Sequence, residues 1–403
     1  MNETVVDSDL PKTAWIPEPE PQCPARGWRL PIAWPDLGEH EMDLVRGALM
    51  DCQISGATEI VKKAERKFAD CVGTQHAVAC NSGGSALHLL MRALSYPPGS
   101  DIICPSFTMI ATAAAISLAG HVPVFVDCEP EHLTLNPDRL AEVLTDRTRA
   151  VMVVHLYGHP ADTEGIQEVI NDSGKQIDLL EDAAEAHGAK VWTGNDHARG
   201  KMCGSLGRAA AFGFYGNKVL TCGEGGTVTT DDEALAARVR SMRGYCFDPR
   251  YHFWHTEIGH SMRMSGLAAA LLSSQVDRAE ELVASRQEKA NWYAKHLREE
   301  TVAAFTEANC RSCWWHYWVR CSRRAEVREK LAERGIETRP GFTPMHVQPC
   351  YQKSSFCNQQ FSYSRTMPCP EAERAGREVL LLPTHCRVTE ADVREICEVI
   401  NWT

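Results

Sequence analysis

Long apolar runs are missing from this chain of 403 residues, and with them any helix able to cross a bilayer. The first thirty residues also lack the apolar core of a signal peptide. They carry Glu3, Asp7, Asp9, Glu18, Glu20 and five prolines, and residues 1–29 read as a flexible leader. No dense Lys/Arg stripe offsets the formal net charge of −11, which argues against a nucleic-acid surface. Metal-site spacing is absent as well. Of 17 cysteines the one close pair, Cys310 and Cys313, has no second pair or spaced histidines to complete a zinc site, so no metal is expected. The scattered thiols read as reduced structural cysteines of a cytoplasmic protein. Internal repeats and low-complexity tracts are lacking too.

What is present is an ordinary globular composition, 44% hydrophobic and 24% charged, in a chain long enough for two domains. Short apolar runs alternate with helical patterns between residues 75 and 230, as in an α/β domain. Strands are expected at 76–80, 101–104, 122–127, 150–156, 177–181, 209–214 and 227–230. Several are nearly continuous Val, Ile, Leu and Ala, which suits a mainly parallel sheet covered on both faces. A helix is expected over 85–94. Beyond Gly266 the pattern changes to one or two long helices over 267–300, a strand at 314–320, a helix at 325–334 and a final helix at 389–400. The expected division is a large domain over 30–280 and a smaller α+β domain over 281–403.

Three segments carry chemistry. Lys218 lies between the run Phe214-Tyr215-Gly216-Asn217 and the glycine-rich turn 223–226. An amine held still in such a place can form a Schiff base with an aldehyde cofactor, although most lysines are solvated surface charges. Asp182 ends an apolar strand, where open α/β sheets bind ligands. It either pairs with a cation such as a protonated pyridine nitrogen or caps a following helix. The turn Asn81-Ser82-Gly83-Gly84-Ser85 joins a strand to a helix and is either a phosphate cradle or only a tight connection.

These segments, with others in the same order, resemble the DegT/DnrJ/StrS family of pyridoxal-phosphate sugar aminotransferases, closest to the perosamine synthase type. The resemblance runs from Leu30-Pro31 to the C-terminus. It includes 81–87, 105–112, 120–127, 155–160, 181–188, 214–226, Arg263-Met264, Pro344-Met345-His346 and 381–384. It implies a fold-type I homodimer with active sites shared at the subunit interface. Lys218 and Asp182 are then the catalytic pair, the lysine carrying pyridoxal 5'-phosphate and the aspartate facing the ring nitrogen. Gly83, Gly84, Ser85, Met109, Glu185, Gly213 and Ser261 would surround the cofactor, and His346 and His187 would contact substrate. The implied reaction moves an amino group from an amino acid, typically L-glutamate, to a keto sugar, most simply a nucleotide-linked 4-keto-6-deoxy sugar.

Departures from the family pattern accompany these matches. Gly84 replaces a phosphate-loop Thr, Gly213 a Ser, Ser261 a partner-supplied Asn, Met109 a stacking aromatic, and Arg208 an Asp. Arg208 is either a substitute phosphate donor or a surface arginine. The segment Tyr245–His255, with Trp254 and His255, reads either as a substrate loop or as an ordinary connection. Other readings are a keto-cyclitol substrate, an elimination reaction, or a non-catalytic relative.

Overall fold

The computed structural model describes residues 15, 18–25, 27–192, 200–251, 253–298, 309–352 and 364–402. Most of the expected leader, His252 of the aromatic segment and residues 299–300 of the expected long helices lie outside these ranges.

Eight strands make one sheet. Their spatial order is His76–Cys80, Gly226–Thr230, Ala209–Gly213, Asp178–Asp182, Thr148–Val154, Asp101–Pro105, Val122–Val126 and Arg365–Thr366. From Ala209–Gly213 onward every neighbouring pair is parallel, and only Gly226–Thr230 runs antiparallel to both its neighbours. The runs of Val, Ile and Ala are explained by burial on both faces. In Thr148–Val154, Ala150 and Met152 join one core layer with Leu87, Leu90 and Ile116, while Val151 and Val153 join the other with Phe68, Leu179 and Phe212. The two-residue edge strand Arg365–Thr366 is too short to carry a sequence signal.

Two boundaries differ from expectation for a local reason. The strand expected to reach Leu156 stops at Val154, because the chain turns through Leu156–Gly158 with Tyr157 in the left-handed region at φ 54°. The strand expected from residue 314 starts at Tyr317. Trp314 has φ 52°, and the Trp315 carbonyl is taken by the Arg286 guanidinium at 2.9 Å instead of a strand neighbour.

The expected long helices are Gly266–Asp277 and Ala279–His296, separated at Arg278. The latter packs against the final helix Glu390–Trp402. A three-stranded antiparallel sheet, Tyr317–Arg320, Val379–Leu382 and Arg339–Pro340, makes the smaller α+β unit with Arg324–Glu333 and Pro370–Glu378. Within the stretch read as a leader, Glu18 accepts from Arg324 Nη2 at 2.9 Å and Glu20 from Arg328 Nη2 at 2.5 Å. Arg324 also donates to the carbonyls of Gly376 and Val379, so this clasp reaches the inner surface of the helix Arg324–Glu333.

Glu181 and Asp182, consecutive at one strand end, divide their work between the sheet faces. Glu181 accepts the N–H groups of Gly204, Leu206 and Gly207 at 2.6, 2.8 and 2.7 Å, and it meets His155 Nε2 at 2.9 Å. His155 Nδ1 accepts from Ala161 N at 3.0 Å, so Nε2 carries the proton and donates to Glu181. With Glu181 tied down on one face, Asp182 faces the other.

Candidate active site

Asp182 stands at the floor of a cavity of about 380 Å³. Its Oδ2 accepts from Thr112 Oγ1 at 2.6 Å and its Oδ1 from Ala184 N at 3.1 Å. No helix follows it, so the helix-cap reading falls away. Burial raises its carboxyl above the ordinary range, against the pull of the Thr112 hydroxyl, the Ala184 N–H and the Lys218 charge.

Ser82, Gly83 and Gly84 open onto the same cavity. Ser82 caps the helix Gly83–Ala93 by accepting from Ser85 N at 3.1 Å. In that first turn Gly83 N–H and Gly84 N–H have no intrahelical acceptor, and the helix dipole adds positive potential there. A Cβ on Gly83 would lie 2.9 Å from the Gly213 Cα, so the two glycines let the turn and the strand end touch. Above Gly84 the space is open, with only Ser82 Oγ at 3.9 Å. The cradle therefore has room for an anion where the family's threonine would stand.

Lys218 enters from the loop after Ala209–Gly213. That loop is pinned by Phe214 N to Gly225 O at 2.8 Å, Cys222 N to Phe214 O at 3.0 Å and Trp315 Nε1 to Asn217 O at 2.7 Å. The lysine Nζ lies 3.4 Å from Glu185 Oε1 and 3.6 Å from the Trp315 ring centroid. Glu185 Oε2 accepts from Tyr157 N at 2.8 Å, an N–H presented by the left-handed turn at that residue. Burial raises the Glu185 carboxyl, with Lys218 and the Tyr157 N–H opposing and Asp182 adding to the rise. Two buried carboxylates thus lie near one partly buried ammonium, and the hydrogen-bond partners of Asp182 are neutral. A protonated ring nitrogen would supply the missing positive charge.

Gly213 and Met109 also line the cavity. Met109 precedes the helix Ile110–Leu118, and its Sδ accepts from Ala111 N at 3.0 Å, which positions the thioether at the cavity edge.

Four expected residues do not reach it. Ser85 Oγ accepts from Ser82 Oγ at 3.0 Å and does not line the cavity. His187 is packed against Phe212 and Phe214, with ring centroids 5.6 and 5.3 Å away, and burial lowers its pKa to about 3. His346 Nδ1 meets Ser106 Oγ at 2.6 Å, outside the lining. Ser261 is exposed and paired with Gly244 away from this cavity. Arg208 also lies elsewhere, bridging Asp178 and Asp232 at 2.7 and 3.2 Å, as a surface arginine would.

Sequence reasoning gave no role to Thr112, Tyr157, Trp315, Arg339 or Phe342, all of which bear on the cavity. Thr112 and Tyr157 fall in segments that matched the family pattern, yet nothing local marks which side chain there would turn inward. The residues fit pyridoxal phosphate: one cavity is lined by an anion cradle, a buried carboxylate short of a cation, and a lysine.

Comparison with known proteins agrees with this geometry. Residues 35–401 match the DegT/DnrJ/EryC1/StrS aminotransferase family. A GDP-perosamine synthase from Caulobacter vibrioides is 36% identical over 381 residues, covering 93% of this chain and 98% of the relative. A GDP-perosamine synthase from Escherichia coli O157:H7 is 33% identical, covering 92% and 98%. The crystal structure of DesV from Streptomyces venezuelae superposes with a TM-score of 0.80 at 32% identity, covering 90% of this chain and 94% of that one. The chain belongs to the DegT/DnrJ/EryC1/StrS family of pyridoxal-phosphate-dependent aminotransferases.

Proposed function

We propose that this protein transfers an amino group from an amino acid, L-glutamate first among candidates, to a nucleotide-linked 4-keto-6-deoxy sugar. The observation that carries the reading is Lys218 Nζ held beside Glu185 and over Trp315, in a cavity that also contains Asp182 and the Gly83–Gly84 turn. The names of the relatives, GDP-perosamine synthases, support a nucleotide-linked sugar as acceptor.

Pyridoxal phosphate, when bound, supplies the carbonyl that takes up and returns the amino group. Gly83 and Gly84 would hold its phosphate, Asp182 its ring nitrogen, Met109 the ring face and Lys218 its aldehyde carbon, with Gly213 leaving room for the turn. Lys218 is the cavity-lining amine able to take a proton from a bound substrate carbon and give it back. Glu185 accepts the charge of the lysine ammonium between those events, and Trp315 restricts where the ammonium can move. Thr112 donates to Asp182 and so opposes the rise that burial gives its carboxyl.

The same proposal includes a homodimer in which Ser261 and the segment around Tyr245, Phe247 and Trp254 serve the partner's cavity. It is supported by the exposure of those three aromatics, 43%, 42% and 64%, and by the position of Ser261 away from its own site. A cytoplasmic location is supported by the free thiols of the described cysteines, buried Cys80 among them.

The test is the absorption spectrum of the protein loaded with pyridoxal phosphate, recorded before and after L-glutamate, followed by a screen of nucleotide-linked keto sugars with mass detection of the amino product. The expected result is bleaching of the visible band by glutamate and its return with a sugar acceptor. A band indifferent to every amino acid tried would overturn the reading.

A further inference from the structure

Among the described residues lining the cavity, the cationic side chains are Lys218 and Arg339. Lys218 is committed to Glu185. Arg339 sits on the two-residue strand Arg339–Pro340, whose backbone is fixed against Leu381 and Leu380. Its side chain is 51% exposed and meets Glu337 Oε1 from Nη2 at 3.3 Å. Glu337 is the better anchored of the two, because its other oxygen accepts from Ile32 N at 2.9 Å.

Three residues on, Phe342 forms part of the cavity wall and stacks on Tyr157 with centroids 5.4 Å apart. Phe342 N donates to Tyr157 Oη at 3.2 Å, while Tyr157 N donates to Glu185. The segment holding Arg339 is therefore joined through one tyrosine to the carboxylate beside Lys218. The Arg339 and Lys218 charges both bear on buried His316, whose ring is pushed well below its ordinary range by burial and by Arg286, Lys218 and Arg339.

A transaminase of the kind proposed above must take two unlike substrates in turn at one site. The amino acid brings a carboxylate next to its reacting carbon; a keto sugar brings hydroxyls there. Neutral groups suffice for hydroxyls, whereas a carboxylate entering a partly desolvated cavity needs a cation, and the planar guanidinium fork matches it. We propose that Arg339 recognises the carboxylate of the amino donor, with Glu337 as its resting partner when the acceptor occupies the cavity. The proposal rests on the transaminase reading and names the donor end of that same site.

The test uses the cofactor-loaded protein and Arg339→Gln, Arg339→Lys and Glu337→Gln variants. Glutarate, an unreactive dicarboxylate, is titrated by calorimetry, and the two half-reactions are followed separately. Arg339→Gln is expected to weaken glutarate binding about tenfold or more, the cost of one charged hydrogen bond, and to raise the glutamate concentration for half conversion equally. The acceptor half-reaction should change less than about twofold on that basis. Arg339→Lys should restore part of the loss, and Glu337→Gln should tighten glutarate binding by freeing the guanidinium. Unchanged glutarate affinity in Arg339→Gln would overturn the proposal, as would equal weakening of both halves or a loss confined to the acceptor. Should the wild type convert no amino donor, the transaminase reading fails, and the glutarate titration still decides whether Arg339 binds carboxylates.

Discussion

Lys218 Nζ lies 3.6 Å from the centroid of the Trp315 ring, although 97 positions separate the two residues in the chain. The indole is fixed from both sides. Its N–H donates to the carbonyl of Asn217, the residue before the lysine, and the Trp315 backbone carbonyl accepts from buried Arg286. The ring thus positions the amine by an electrostatic attraction of about 0.5–2 kcal/mol and by shape.

Removing that ring should loosen the amine without removing the chemistry. Trp315→Leu is expected to lower kcat roughly tenfold, the equivalent of about 1.4 kcal/mol, with the acceptor KM near its original value. Trp315→Phe keeps an aromatic face and should recover part of the rate. Steady-state kinetics on the three proteins checks this, and an unchanged kcat in Trp315→Leu would count against a positioning role.

Asp182 takes its one side-chain hydrogen bond from Thr112, beside a backbone N–H from Ala184. Thr112→Val removes the donor at 2.6 Å, and the loss of a charged hydrogen bond costs about 1.5–3 kcal/mol. Cofactor affinity should fall by at least about tenfold on the same basis, while Thr112→Ser should retain it. Equilibrium titration with pyridoxal phosphate distinguishes the outcomes, and equal affinity in Thr112→Val would mean that the hydroxyl is not needed.

The Glu185 carboxyl has a folded pKa above its ordinary value of 4.5, chiefly through burial. A raised acid binds its proton more tightly in the folded state, so its contribution to stability is present below that ordinary value and is lost as pH rises through the folded value. Glu185→Gln removes this loss. In the cofactor-free protein, the stability of Glu185→Gln relative to wild type should therefore be more favourable at pH 7.5 than at pH 4.5. Urea midpoints at the two pH values measure it. A constant difference, or one of opposite sign, would show that the Lys218 charge outweighs burial.

The clasp near the N-terminus places carboxylates on two guanidiniums that are nearly out of water, with Arg324 and Arg328 side chains 6% and 2% exposed. Breaking a fully buried pair costs about 3–5 kcal/mol. Glu18 and Glu20 are 28% and 69% exposed, so solvent screening reduces the figure. The double change Glu18→Gln, Glu20→Gln should lower stability by about 1–3 kcal/mol by urea unfolding, with most of it from Glu18. Stability equal to wild type would make the clasp a passive contact.

The legible features were local ones. Alternation of apolar runs and helical patterns located the large-sheet strands it expected to within a few residues but missed Val379–Leu382 and Arg339–Pro340, and the order of family motifs named Lys218, Asp182 and Glu185, which the fold does bring to one cavity. Boundaries failed at Tyr157 and Trp314, where a non-glycine residue adopts φ 54° or 52°. Propensity does not foresee that conformation, which surrounding contacts impose.

By itself the sequence determined which segments could hold an amine, a carboxylate and an anion, because glycine turns, strand ends and helix starts are set by neighbouring residues. Only the tertiary structure decided which side chains complete the site. Thr112 enters because the helix Ile110–Leu118 packs beside a strand end 70 residues later, and Arg339 because a strand of two residues pairs with Val379–Leu382. His187 is left out because Phe212 and Phe214 take it into the core. Each of these outcomes depends on contacts between distant segments, and the burial they create, opposed by local hydrogen bonds and the Lys218 charge, raises the Asp182 and Glu185 carboxyls.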